Sequence, residues 1–203
     1  MKYPAISSEI KTGEEAIIGV ENLKILDFWQ WAYSDVIDNA QRGIFAEWIV
    51  SKALNSQSKV RSEWDKYDIL TPEGIKVEVK TSGYLQSWGQ NSLSKISFGI
   101  QPTRGWDHKS NTYEKEIKRQ ADVYVFCVHK HLKQETLNPL DISQWDFYVL
   151  DTETINCEMG NKKSITLPKL IDIGAVLIEY NELNMVVKKF FIANKNEVLK
   201  NAE

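Results

Sequence analysis

Residues 67–81 read YDILTPEGIKVEVKT, and this stretch decides the fold. Two strand-like runs flank Pro72, Glu73 and Gly74. Proline suits the first turn position and glycine the left-handed position that closes a three-residue loop, so the stretch predicts a β-hairpin. Beyond the turn the alternation is strict: Ile75, Val77 and Val79 share one side, while Lys76, Glu78 and Lys80 share the other. With Thr71 and Ile75 flanking the loop, Leu70 faces Lys76, Ile69 faces Val77 and Asp68 faces Glu78. Two carboxylates are then expected opposite each other, ~5 Å apart at Cβ, with Lys80 further along the same face. Both ionised, they repel, and a sheet ordinarily avoids such a pair. A hard dication such as Mg²⁺ removes the conflict, because it takes oxygen ligands from carboxylates, water and substrate phosphate. Lys80 beside it would orient or deprotonate a water and stabilise a developing oxyanion.

A plainer alternative is a solvent-facing Glu78–Lys80 pair on an edge strand, with Asp68 neutralised by Lys66 or Lys76. The acid–any–lysine spacing carries little alone, since Glu9–Lys11, Glu78–Lys80, Asp107–Lys109 and Glu116–Lys118 all have it. Only Glu78–Lys80 lies on a strand with an aspartate upstream across a tight turn, and context is what gives a short motif meaning.

Outward from the hairpin, residues 41–54 (QRGIFAEWIVSKAL) predict a helix with one narrow polar stripe of Gly43, Glu47, Ser51 and Asn55. Residues 21–37 predict another helix, apolar on nearly every side, which would be buried or held at a subunit contact. Downstream come a loop over 84–95, a short strand at 96–100, a helix over 112–119, and two nearly continuous apolar strands at 123–128 and 147–150. A strand at 164–167, a helix from Pro168, a strand at 175–178 and a helix from Asn181 complete the pattern. The expected class is α/β, with a central mixed β-sheet flanked by helices. Residues 1–193 are expected to form one domain, followed by a polar tail over 194–203.

An acidic helix residue, a strand aspartate and Glu-x-Lys on the next strand resemble the PD-(D/E)XK nuclease superfamily, whose fold is restriction-endonuclease-like. The matching residues are Glu47, Asp68, Glu78 and Lys80, and the resemblance covers about 41–150. Tyr67 stands where the superfamily usually has proline, and Asp65 competes with Asp68 for the metal-binding role. The resemblance implies that Asp68, Glu78 and the backbone carbonyl of Val79 hold Mg²⁺, with Mn²⁺ as a substitute. It implies that Glu47 contacts a second metal or a water from its helix, and that Lys80 positions the attacking water. The implied activity is hydrolysis of DNA phosphodiester bonds by a restriction- or defence-type endonuclease, with a homodimer suggested by analogy. The alternative on the same fold is a catalytically inactive module that binds nucleic acid or protein.

Composition bounds these readings. The chain has 203 residues, a formal net charge of −3, and ordinary globular proportions of apolar and charged residues. That is enough apolar surface to exclude disorder as the main state. No apolar run approaches the ~18 residues of a membrane span. Cys127 and Cys157 form neither a disulfide framework nor a zinc spacing, and a cytoplasmic protein is expected. Charge is uneven: residues 1–40 hold three lysines against seven acids, and residues 95–133 hold eight basic residues against four acids. Gln101, Arg104, Trp106 and Lys109 in the second window are candidate nucleic-acid contacts, and Trp88 and Trp106, both expected in loops, are stacking candidates. His129 and His131, alternating at a strand end, are expected to face solvent.

Overall fold

The computed structural model describes residues 3–56, 60–63, 65–107 and 110–200. His108 and Lys109 lie outside the described residues. The predicted hairpin forms with the expected register. Strand β1 (Ile69–Leu70) runs antiparallel to β2 (Lys76–Gly83), with Ile69 opposite Val77 and Leu70 opposite Lys76. Gly74, at φ 83, closes the turn, and its N–H donates to the carbonyl of Thr71 at 2.9 Å. A side chain at that φ would be strained, which explains the glycine.

The next two strands are β6 (Val123–His129) and β7 (Trp145–Asp151), and the sheet ends at β9 (Val176–Ile178). The order is β1-β2-β6-β7-β9, with β2 parallel to β6 and the other pairs antiparallel. Every residue of β6 is buried, as the apolar run predicts for a strand covered on both faces. Cys127 is part of that core. The fold is therefore α/β with a mixed central sheet.

On one face, Val77, Val79, Val123, Val125 and Phe147 pack against helix α2 (Asn39–Ala53) through Ala46, Ile49 and Val50, and against helix α5 (Leu183–Lys200) through Leu183 and Val187. The other face carries Tyr124, Phe126, Val128 and Leu150. It is covered by helices α3 (Thr152–Met159) and α4 (Leu167–Asp172), and by a two-stranded sheet of β3 (Ser97–Gly99) and β8 (Ser164–Thr166). Fully burying a side chain such as Phe126 or Phe147 contributes about 1.5–3 kcal/mol, so these two layers hold the sheet together.

Four sequence expectations need correction. Residues 112–118 form a strand, β5 (Thr112–Lys118), paired with β4 (Thr103–Asp107), rather than a helix. Nearly every β5 side chain is exposed, so burial imposes no alternation, while its glutamates and lysines favour a helix by propensity. Trp106 consequently lies on a strand, not in a loop. Helix α1 (Ile25–Tyr33) is shorter than the expected 21–37 and buries none of its residues, with Trp31 84% exposed. His129 is 1% exposed rather than solvent-facing. Among the described residues no helix is long and apolar enough to cross a membrane.

Candidate active site

The hairpin register puts Glu78 and Lys80 on the face of the sheet shared by Tyr124 and Phe126, which pair with them across the parallel β2–β6 ladder. Their charged ends therefore rise from an apolar, aromatic floor. Lys80 Nζ donates to Glu78 Oε1 at 2.6 Å, and both side chains are largely withdrawn from solvent.

Asp68 stands immediately before the first residue of β1. Its backbone N–H donates to the Val77 carbonyl at 3.1 Å, and its carboxylate accepts the Val79 N–H at 2.7 Å. The side chain thus takes the hydrogen bond that a longer β1 backbone would have taken, and this anchors it against β2. Burial, then the Glu78 and Glu47 carboxylates, push Asp68 up to about 7, against the pull of Lys80 and the Val79 N–H. Burial draws the Lys80 ammonium down, but Glu78, Asp68 and Glu47 outweigh it and hold Lys80 above the ordinary lysine value. Lys80 is accordingly a protonated donor rather than a base. Burial, then Glu78, likewise raises the Tyr124 hydroxyl, which stays neutral beneath the site.

Glu47 reaches the same region from α2. Arg61, which the sequence did not single out, grips it with two hydrogen bonds, Nε to Oε2 at 2.5 Å and Nη2 to Oε1 at 2.8 Å. Glu47, Arg61, Asp65 and Asp68 line one cavity of about 620 Å³, together with Trp48, Lys52 and Trp29. The N-terminal segment contributes Ile10 and Lys11 to its wall. Asp65, the competing aspartate, shares the cavity with Asp68. Lys66, an alternative neutraliser of Asp68, instead pairs with Glu114 of β5 at 2.5 Å, and that contact seats the β4–β5 hairpin beside the site. Gln101 and Arg104 are exposed before and on β4, Trp106 is half-buried, and Trp88 is exposed in the 84–95 loop.

Asp68 and Glu78 offer carboxylate oxygens, and Val79 a carbonyl, all hard donors of the kind Mg²⁺ prefers. Among the described residues no three His, Cys, Asp or Glu side chains form a group able to hold a metal. Mg²⁺ does not demand one, since it commonly binds through one or two carboxylates and keeps its remaining waters. Burial, then the crowding of Glu78 and Glu47, lifts Asp68, and a dication would relieve the crowding, so this donor set fits the ion.

Two arginines tie the surroundings down, and the sequence flagged neither. Arg42 is buried and donates to the carbonyls of Ile37 at 3.1 Å and Leu85 at 3.4 Å, and to Gln86 and Asn39. It thereby fastens the 84–95 loop to the start of α2. Arg119 donates to the Ile100 carbonyl at 2.8 Å, to Asn156 at 2.6 Å and to the Gly160 carbonyl at 2.9 Å, joining β3 to the end of α3.

An α/β scaffold with a half-buried cluster of acids and cations beside an open cavity has the makings of a hydrolase. The family model described as bacteriophage T4 endonuclease IV matches residues 24–168, which include Glu47, Asp68, Glu78 and Lys80, and the chain belongs to this endonuclease family. No curated protein matches the sequence.

Proposed function

We propose that this protein is a Mg²⁺-dependent endonuclease that hydrolyses DNA phosphodiester bonds at the Asp68–Glu78–Lys80 cluster, on a restriction-endonuclease-like fold of the PD-(D/E)XK kind. The observation that carries the reading is a half-buried carboxylate pushed up to about 7 by burial and then by two neighbouring acids, with a protonated lysine hydrogen-bonded to one of those acids at 2.6 Å, in a chain of an endonuclease family. The order of elements agrees with it: a helix bearing Glu47, then an antiparallel hairpin bearing Asp68, Glu78 and Lys80, then, further on, a buried strand parallel to β2.

In this reading Asp68, Glu78 and the Val79 carbonyl hold Mg²⁺, or Mn²⁺ in its place. When bound, the ion supplies Lewis-acid charge at the phosphoryl oxygens and acidifies a water. The chain's own residues do the rest. Lys80, fixed by Glu78, donates to the incoming water or a phosphoryl oxygen and so fixes the line of attack on phosphorus. The Val79 N–H holds Asp68 in place. The apolar floor of Tyr124 and Phe126 keeps bulk water from beneath the cluster, where charge interactions are consequently stronger. A role in defence or restriction, acting on invading DNA, goes with this chemistry as part of the proposal.

The test is a cleavage assay on plasmid, linear and single-stranded DNA across a panel of divalent metals. Cleavage is expected with Mg²⁺ or Mn²⁺ and not in chelator. Lys80→Ala and Asp68→Ala should each lower the rate by about 10²–10³-fold or more, the scale of losing one preorganised electrostatic contact, without unfolding the protein. Wild-type rates in both variants would remove the assignment.

A further inference from the structure

We propose that Arg61 contacts the substrate phosphate, and that Glu47 acts as a positioning residue through Arg61 rather than as a metal ligand. This rests on the nuclease reading above and specifies what the anion meets on the cavity side of the site. Both Glu47 oxygens are occupied by the Arg61 fork, at 2.5 and 2.8 Å. Ligating a metal through Glu47 would set a dication beside the guanidinium and weaken two charge-assisted bonds whose planar geometry suits carboxylate and guanidinium alike. The Glu47 side chain is also only 17% exposed, which stiffens the grip.

Among the described residues, Arg61 has donors to spare. A guanidinium carries five N–H groups, and Glu47 takes two of them. The Nη1 group has Glu63 at 3.7 Å, an acid 74% exposed, and such a contact is worth little in water. One edge of the guanidinium is thus pinned while the rest lies over the cavity that Asp68 also lines. Asp68 and Arg61 sense each other's charge across it. Fork geometry on a fixed backing is how arginine recognises phosphate oxygens.

Three measurements on the full chain test this, using a labelled oligonucleotide as single strand and duplex: Mn²⁺ affinity by calorimetry, DNA binding against salt in Ca²⁺, and single-turnover cleavage in Mn²⁺. Arg61→Ala should leave Mn²⁺ affinity within about twofold, lower the cleavage rate about 10²-fold, and flatten the log–log salt dependence of binding by about 0.7–0.9, the share of one phosphate contact. Arg61→Lys should keep the salt slope but recover only part of the rate, because a point charge lacks the fork. Glu47→Gln should also keep Mn²⁺ affinity while losing rate. Tenfold weaker Mn²⁺ binding by Glu47→Gln would make Glu47 a ligand and overturn the proposal. So would an unchanged rate and salt slope in Arg61→Ala. Cleavage by wild type and its loss in Asp68→Asn uphold the nuclease reading independently, so an inert Arg61 then sinks only this inference. If wild type binds DNA without cutting, the salt slope alone decides, and if it neither binds nor cuts, both readings fall.

Discussion

Two regions of this protein crowd like charges into the interior and resolve the conflict in opposite ways. In the first, the carboxylates of Asp68, Glu78 and Glu47 crowd one another in a half-buried cluster, and the strain stays visible as an Asp68 carboxyl pushed up to about 7, first by burial. In the second, Arg42 and His129 lie together around Gly83, a residue where even an added Cβ would meet the Arg42 guanidinium at 3.2 Å. There burial, then the Arg42 cation, pushes His129 down to about 4, so the imidazole is neutral at ordinary pH. Arg42 donates from Nη1 and Nη2 to the carbonyls of Ile37 and Leu85 and the amide oxygens of Gln86 and Asn39, while its buried Nε finds no partner among the described residues. Its region is closed, with His129 stacked edge-on against Trp145 at 4.8 Å. The carboxylate region opens on a cavity. A conflict settled inside the fold stabilises structure, whereas one left open toward a cavity awaits a ligand. Perturbed ionisable groups in clefts are functional candidates for that reason.

The largest effect that would break the comparison is at Arg42. Arg42→Ala should cost about 3 kcal/mol or more in urea unfolding, since several buried acceptors lose a charged donor together. A loss below about 1 kcal/mol would mean that the clamp is not structural.

Next comes the pH dependence of His129. Its folded value lies below the unfolded 6.5, so the unfolded chain binds the extra proton as pH falls. The His129 contribution is full above 6.5 and is lost down toward about 4, amounting to about 3 kcal/mol. His129→Phe should remove that acid limb from a stability–pH curve.

Asp68 has the opposite slope. Its folded value is raised above the unfolded 3.8, so its contribution is full below 3.8 and is lost as pH rises to about 7. Without metal, Asp68→Asn should therefore be more stable than wild type at about pH 8 by about 2 kcal/mol, about half the full linkage value because water screens a half-buried carboxylate, with the gap closing toward about pH 4. An equal or lower melting temperature for the variant would show that the carboxylates are not in conflict.

The smallest effect is at the partly exposed Lys66–Glu114 pair. Glu114→Gln should leave the urea midpoint nearly unchanged, as substitutions in such pairs do. A larger loss would mean that the β4–β5 hairpin depends on that contact.

Much of this was legible in the sequence where local and global signals agree. Pro72 and Gly74 set the turn, the turn sets the register, and the register brings Asp68 to Glu78. The unbroken apolar run of β6 announced a strand covered on both sides. Helix α3 escaped because it follows β7 with no loop, and its start is marked only by Asp151 accepting the Thr154 N–H at 2.8 Å. Strand β5 escaped because neither of its faces is buried enough to leave a period of two. The buried arginines escaped for a different reason: Arg42 and Arg119 look like surface charge until carbonyls from distant segments converge on them. Arg61 lies in a stretch without periodicity, and only the folded chain shows its grip on Glu47.

The most direct measurement of the central claim is a melting experiment on wild type and Asp68→Asn at about pH 8, each with and without Mn²⁺. The account predicts that the variant melts higher without metal and that wild type melts higher with it, so that the order reverses on adding the ion. A wild type indifferent to Mn²⁺, or an order that never reverses, would contradict the claim that these acids are gathered to hold a dication.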